Sequence, residues 1–206
     1  MILLGCAIYY STRSNEPTYE GRPLTEWLRK LDTDLNNFRT ADINAPQLAG
    51  SVGPIRAIGT NAIPTLLNYV IAKPTPGVNA LTRFVRKLGW KRFRFSVDDK
   101  QQLAIWGFWA LGQDAKPAAP ELVQIVYTGT GDSRGTALSC LSNFERDREI
   151  MLPVMLKLLS DSDKDMARYA TNRLVSYFPE EAKNAGISKK QPSSKTPTTN
   201  SPTAHN

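Results

Sequence analysis

Histidine is nearly missing from this 206-residue chain: the single one, His205, sits beside the last residue of a polar tail. Histidine-based catalysis and histidine metal ligation are thereby excluded as expectations. Cysteine is almost as scarce, with only Cys6 and Cys140, and that spacing supports neither a disulfide framework nor a thiolate metal site. No apolar run is long enough to span a bilayer. The longest at the start, Met1 to Tyr10, would cover about 15 Å as a helix, roughly half a hydrocarbon core, and it lacks the basic lead-in of a signal peptide.

Motifs for bound phosphate or metal are also wanting. No GxxxxGK occurs. The run GTGDSRG at Gly129 to Gly135 places its last glycine one position late, with Arg134 in its stead, and follows a helical pattern where a dinucleotide fold needs a strand. It reads as an interhelical turn capped by Asp132 or Ser133. DSDKD at Asp161 to Asp165 opens like a calcium loop, but Met166 stands at the obligatory glycine and Asn172 at the closing glutamate, so a helix cap is expected instead. The neighbours Asp98 with Asp99, and Glu180 with Glu181, fall at loop or helix-end positions where carboxylates stay solvated. No cofactor, metal, small-molecule substrate or catalytic residue is expected.

Charge of one sign is locally absent too. The net charge is +7, but Lys73 to Gln101 carries eight basic against two acidic residues, and Ile187 to Asn206 carries three lysines and no acid. The remainder is two charges negative. Any anionic partner must therefore be met by those two segments, not by the surface at large.

What the chain does have is helical periodicity. In QQLAIWGFWALGQDAKPAAPELVQIVY, Gln101 to Tyr127, Leu103, Trp106, Gly107, Ala110 and Leu111 follow helical spacing, while Ala104, Ile105, Phe108 and Trp109 fill the other faces. A helix apolar all round must be covered on every side. After a stop at Gly112, a second helix starting near Pro117 or Pro120 is apolar along Ala118, Ala119, Leu122, Ile125 and Val126 only, with Glu121, Gln124 and Thr128 facing away. Upstream, Pro23 can open a helix whose stripe is Leu24, Trp27, Leu28, Leu31 and Leu35. Val52, Ile55 and Ile58 lead to Gly59, and Asn61 is placed to cap a helix carrying Ile63, Leu66, Leu67, Val70 and Ile71.

These pieces repeat. Ala104, Ala137 and Ala170 stand 33 residues apart, as do Phe108, Leu141 and Leu174, and Leu111, Phe144 and Tyr177; Pro120 and Pro153 keep the same step. Behind the prolines, Leu122, Ile125 and Val126 recur as Met155, Leu158 and Leu159. The upstream copy lies 53 residues back, because 72–100 is inserted between units. A helical pair that cannot bury its apolar face alone has to share a core with stacked neighbours.

AIGTNAIPTLL and ALGQDAKPAAPELV resemble the helix-turn-helix signature of bacterial HEAT repeats, and DSDKDMARYATNRL resembles the opening of another, with Met166, Ala170 and Leu174 in place and the arginine displaced to Arg168. Tyr19, Gly21, Arg22, Pro23, Leu24, Trp27 and Leu28 look like the leader helix of membrane-anchored bacterial HEAT-repeat proteins. The resemblance covers about residues 19 to 186. It implies an all-α, right-handed α-α superhelix, a HEAT/ARM-type solenoid of about four helical hairpins, acting as a non-catalytic protein-binding scaffold. The expected organisation is an apolar anchor remnant and linker at 1–22, the solenoid at 23–186 with its insertion at 72–100, and a disordered polar tail at 187–206.

The insertion holds the candidate contacts: Arg83, Arg86, Lys87, Trp90, Lys91, Arg92, Phe93 and Arg94. Leu81, Phe84, Val85 and Leu88 form a stripe, and WKRFRFSV alternates apolar and basic residues. Three explanations fit. The aromatics plug a groove between repeats while the cations stay in water; or the segment meets an anionic membrane surface; or it holds nucleic acid, which stands last because no nucleic-acid motif accompanies the charge. The apolar start has three readings: an anchor extending beyond the given start, a lipobox, Leu3 to Cys6, with Cys6 lipidated, or simply a frayed apolar terminus; membrane association is the expectation. A protein partner is expected, of a kind the sequence does not name.

Overall fold

The computed structural model describes residues 16–40, 42–73 and 98–187. They are mostly helical, with almost no sheet, which makes the protein all-α. The described chain forms two compact units divided between Val154 and Met155.

Unit 1 opens with a two-strand antiparallel hairpin, β1 (Thr18–Tyr19) and β2 (Arg22–Pro23), paired Thr18 to Pro23 and Tyr19 to Arg22. It leads straight into α1 (Leu24–Phe38), whose five expected stripe residues, Leu24, Trp27, Leu28, Leu31 and Leu35, are all buried. A 3-10 turn at Pro46–Leu48 precedes α2 (Ala49–Ile58), and a second at Gly59–Ala62 joins α2 to α3 (Ile63–Val70). Next come α4 (Asp98–Leu111), a 3-10 turn at Gly112–Ala118, and α5 (Ala119–Thr128). Then α6 (Asp132–Cys140) runs through a 3-10 turn, Leu141–Phe144, towards α7 (Arg148–Leu158). The division between the units falls within α7. In unit 2, α8 (Lys164–Tyr177) packs on α9 (Pro179–Asn184).

The helices of unit 1 pack in an order that follows the chain. The first helix of each pair lies on the last helix of the pair before it: α2 on α1, α4 on α3, α6 on α5. First helices also lie on one another, α2 on α4 and α4 on α6. Helix α4 further touches α1, so it meets α1, α2, α3 and α6 together. This answers the demand made by its composition. Leu103, Ala104, Phe108, Ala110 and Leu111 are buried, and Ile105, Trp106 and Trp109 are half-buried. The equivalent alanines of the repeat, Ala104, Ala137 and Ala170, are each fully buried, as are Phe108, Leu141 and Leu174.

The sequence expectations fail at several helix ends. Asn61 caps nothing: it is exposed within the 3-10 turn, where the Ile63 N–H already donates to the Thr60 carbonyl, and Pro64 removes another orphan donor. Ile71 leaves the apolar stripe, 51% exposed, because α3 ends at Val70. Neither Asp132 nor Ser133 caps α6; the Ser133 hydroxyl instead donates back to the Thr130 carbonyl at 2.7 Å. Asp163 does cap α8, its side chain accepting from the Asp165 and Met166 N–H groups. Arg168 stays on its own helix, paired with Asp165 at 2.7 Å in the open. Helix α4 begins three residues inside the stretch assigned to the insertion, since a first helical turn needs no apolar residue to form.

Close approach at α4 depends on one small residue. A Cβ built on Gly107 would stand 2.4 Å from Leu66 Cδ2 and 3.1 Å from Leu28 Cδ2, and both leucines are fully buried. Alanine there gains about 1 kcal/mol of helix propensity but forces two packed side chains off their rotamers, at about 1–3 kcal/mol. Gly107→Ala is expected to lower the urea-unfolding free energy by about 1 kcal/mol, with Leu66→Ala in the same chain removing the penalty of the added methyl. A stabilised single variant would mean α4 is not held this closely.

Candidate binding groove

The turns of unit 1 lie in a row, 59–62 against 112–118 and 112–118 against 141–144. Gly59 and Gly112 occupy equivalent places and share the left-handed backbone region, φ 62° and 57°, where a side chain is disfavoured. Such a stop leaves carbonyls at the helix end without intrahelical donors, and side chains of neighbouring helical pairs supply them. Arg56 Nε donates to the Ala110 carbonyl at 2.8 Å, while its Nη2 reaches Asn44 Oδ1 at 2.8 Å. Asn143 Nδ2 donates to the Phe108 carbonyl at 2.7 Å. Gln113 Nε2 donates to the Asn143 carbonyl at 3.2 Å. Trp109, which stands in its repeat where Arg56 stands in the one before, donates to Ser142 Oγ at 3.2 Å across 33 residues.

Next to this row α5 and the start of α7 enclose a groove of about 350 Å³. Ala119, Pro120, Val123 and Tyr127 line it from α5, and Ile150, Pro153 and Val154 from α7, with Lys116 and Glu149 at its polar edge. The two prolines that keep the 33-residue step are thus both exposed and both on the groove. Pro120 falls in the first turn of α5, where no donor is lost, but Pro153 falls inside α7.

The polar edge is fixed. Lys116 Nζ lies 2.7 Å from Asp147 Oδ2, and the other oxygen of Asp147 accepts from the Glu149 N–H at 3.1 Å and the Ile150 N–H at 3.3 Å, tying down the first turn of α7. The hydrogen bond from Lys116 holds the Asp147 carboxyl below its ordinary range. The same bond pushes the Lys116 ammonium up, and burial pushes the Tyr127 phenol up. Each of the three is therefore held further from neutral pH, not nearer to it. The groove thus offers an apolar floor, an aromatic ring and an ion pair beside its edge.

Elsewhere the described residues offer little chemistry. Cys140 is a free, buried thiol, pushed far above its usual range by burial, and so inert as a nucleophile. Among the described residues no group of three histidine, cysteine or acidic side chains could hold a metal ion. No described helix is long and apolar enough to cross a membrane. The residues singled out from the sequence, Arg83, Arg86, Lys87, Trp90, Lys91, Arg92, Phe93 and Arg94, together with Cys6, lie outside the described residues, as do residues 188–206 of the tail. Sequence reasoning missed the groove, although the step from Pro120 to Pro153 was its visible trace. Comparison with known protein families, with curated proteins and with solved structures gives no match.

The Lys116 and Asp147 pair sets a pH window. A lowered carboxyl contributes stability above its ordinary value of 3.8 and loses it as pH falls through the depressed value. A raised ammonium contributes below its ordinary 10.5 and loses it as pH rises through the elevated one. Because Lys116 is exposed and Asp147 half-buried at the surface, the effect is small and screened by salt. Asp147→Asn should flatten the acid limb of thermal stability and weaken its dependence on salt. An unchanged acid limb would show that the pair contributes nothing.

Proposed function

We propose that this protein is a HEAT-type repeat scaffold that binds a protein partner, tethered to a membrane through its N-terminus, and that it catalyses nothing itself. In this reading its helical pairs build a right-handed solenoid of about four hairpins. The observation that carries the reading is the ordered packing in unit 1, where each pair rests on the one before and side chains bridge successive turns at about the repeat distance. A stack made in this way is rigid along its row of turns, and rigidity in a binding surface lowers the entropy lost on association. The groove between α5 and α7 is the surface offered, with Tyr127 and Val123 the residues through which a partner gains most. Tethering rests on the apolar run Met1 to Tyr10, as an extended anchor or as a lipid on Cys6.

A second reading has its own observation. The eight basic against two acidic residues of 73–101 suit a polyanion, held by Arg83, Arg86, Lys87, Lys91, Arg92 and Arg94 with Trp90 and Phe93 stacking.

Two variants separate the readings. In the scaffold reading Val123→Arg, which places an unpaired cation on the groove floor, lowers capture of the cross-linked partner at least about tenfold, and capture is insensitive to moderate salt. In the polyanion reading Arg86→Glu with Lys87→Glu and Arg92→Glu abolishes binding to single-stranded RNA, and affinity falls steeply as salt rises. Capture untouched by Val123→Arg would discard the groove as the contact.

A further inference from the structure

The groove between α5 and α7 restricts what can lie in it, first through its walls. Its lining falls at helical spacing on one face of each, Ala119, Pro120, Val123 and Tyr127 on α5 and Glu149, Ile150, Pro153 and Val154 on α7. Both walls are helices, so neither presents the unpaired edge that strand addition needs. The exposed rings of Pro120 and Pro153 have no N–H to give. An extended segment pressed on that floor would leave its own amides and carbonyls facing carbon, at a cost that a helix avoids because its main chain is satisfied internally.

The second restriction is the charge at the edge. Lys116 stands between two carboxylates: Asp147 at 2.7 Å, and Glu149, whose charge acts on the same ammonium. One cation for two acids leaves the edge short of a donor. Pro153 adds to the shortage, because a proline inside a helix takes the usual donor from the carbonyl four residues back, which is that of Glu149. Glu149 therefore brings two acceptors to one end of the groove, a carboxylate and a main-chain oxygen. The charges nearby do not line the groove: Glu121 and Arg148 fall on the far sides of α5 and α7 by helical spacing, and Arg146 precedes α7.

We propose that the groove takes an amphipathic helix of the protein partner, laid lengthwise along α5 and α7, with a lysine or arginine of that helix at Glu149. Ala119 and Tyr127 stand eight residues apart on α5, about 12 Å, so two turns of the partner cover the floor and its side chains at i, i+4 and i+7 enter it. At about 350 Å³ the groove is at the small end for a binding pocket: it holds those side chains, while the partner's main chain rests on the rim. A basic flank also suits a chain that is two charges negative outside its own basic segments. The proposal rests on the scaffold reading and names what the scaffold holds.

The test is fluorescence anisotropy on the full chain with three labelled peptides of about 15 residues. One is helical by design, with leucine at i, i+3, i+4 and i+7 and lysine elsewhere; the second has glutamate in place of lysine; the third keeps the lysines and carries a central proline that breaks the helix. The unaltered chain should bind the first most tightly and the third at least about tenfold more weakly. Val123→Arg should lower binding of the first at least about tenfold. Glu149→Gln should weaken it about fivefold, and Glu149→Lys should reverse the order of the lysine and glutamate peptides. Glu121→Gln, off the groove, should leave binding within about twofold, with circular dichroism showing that each variant keeps its fold. Equal losses from Glu121→Gln and Glu149→Gln would overturn the charge match and with it the basic helix. Equal binding of the proline peptide would overturn the helix in favour of an extended segment. Were no peptide to bind while Val123→Arg still reduced capture of the cross-linked partner, the helix would fall and the scaffold reading stand. Peptide binding and partner capture both untouched by Val123→Arg would overturn the groove as a site altogether.

Discussion

Helix α4 has no fully exposed residue from Gln101 to Leu111, and unit 1 is arranged to satisfy that. Four other helices enclose it, and two of them, α3 and α6, belong to different helical pairs. Enclosure works only because the helix is narrow where it is crowded: Gly107 lets Leu28 and Leu66 come in close to the backbone. A larger helix surface would have pushed α1 and α3 apart and exposed their leucines. The stability of unit 1 is in this sense a property of its middle.

The same enclosure explains the placing of polar groups. Tryptophan in a half-buried position must find an acceptor for its N–H, and α4 provides two such rings, 5.0 Å apart and edge to face. Trp106 donates to Asp32 of α1 at 3.1 Å and Trp109 to Ser142 beyond α6. The pair thus fastens α4 in both directions along the stack. Polar contacts across the turns add direction where apolar packing alone allows sliding.

Burial was readable from the sequence because it is periodic. Leu24, Trp27, Leu28, Leu31 and Leu35 fall inside as expected, and the three alanines of the 33-residue step are fully buried. Turns were read less well. Asn61, Asp132 and Ser133 have the right side chains for caps, yet 3-10 geometry or a backward hydrogen bond serves the backbone instead; that choice depends on backbone angles that composition does not encode. The groove was harder still. Its walls come from residues about 30 apart, each only half-apolar in its own neighbourhood, and what joins Val123 to Ile150 is the spacing of two helices. Glu16 gave no signal at all, since a carboxylate nine residues from the hydroxyl it binds follows no local pattern.

That last contact reaches beyond its own size. Helix α1 has no side-chain cap from Pro23, which precedes it, and the acceptor for its exposed first turn comes from Glu16, with Pro17 taking the Leu24 N–H at 2.9 Å. A fragment trimmed to begin at Pro23, the natural boundary if helices alone were counted, would start its leading helix bare, with frayed amides and with the Thr25 hydroxyl, which shares a 2.6 Å hydrogen bond with Tyr69 OH, deprived of its Glu16 partner. The few residues ahead of the first helix are therefore part of the folded body and belong in any shortened version of the chain.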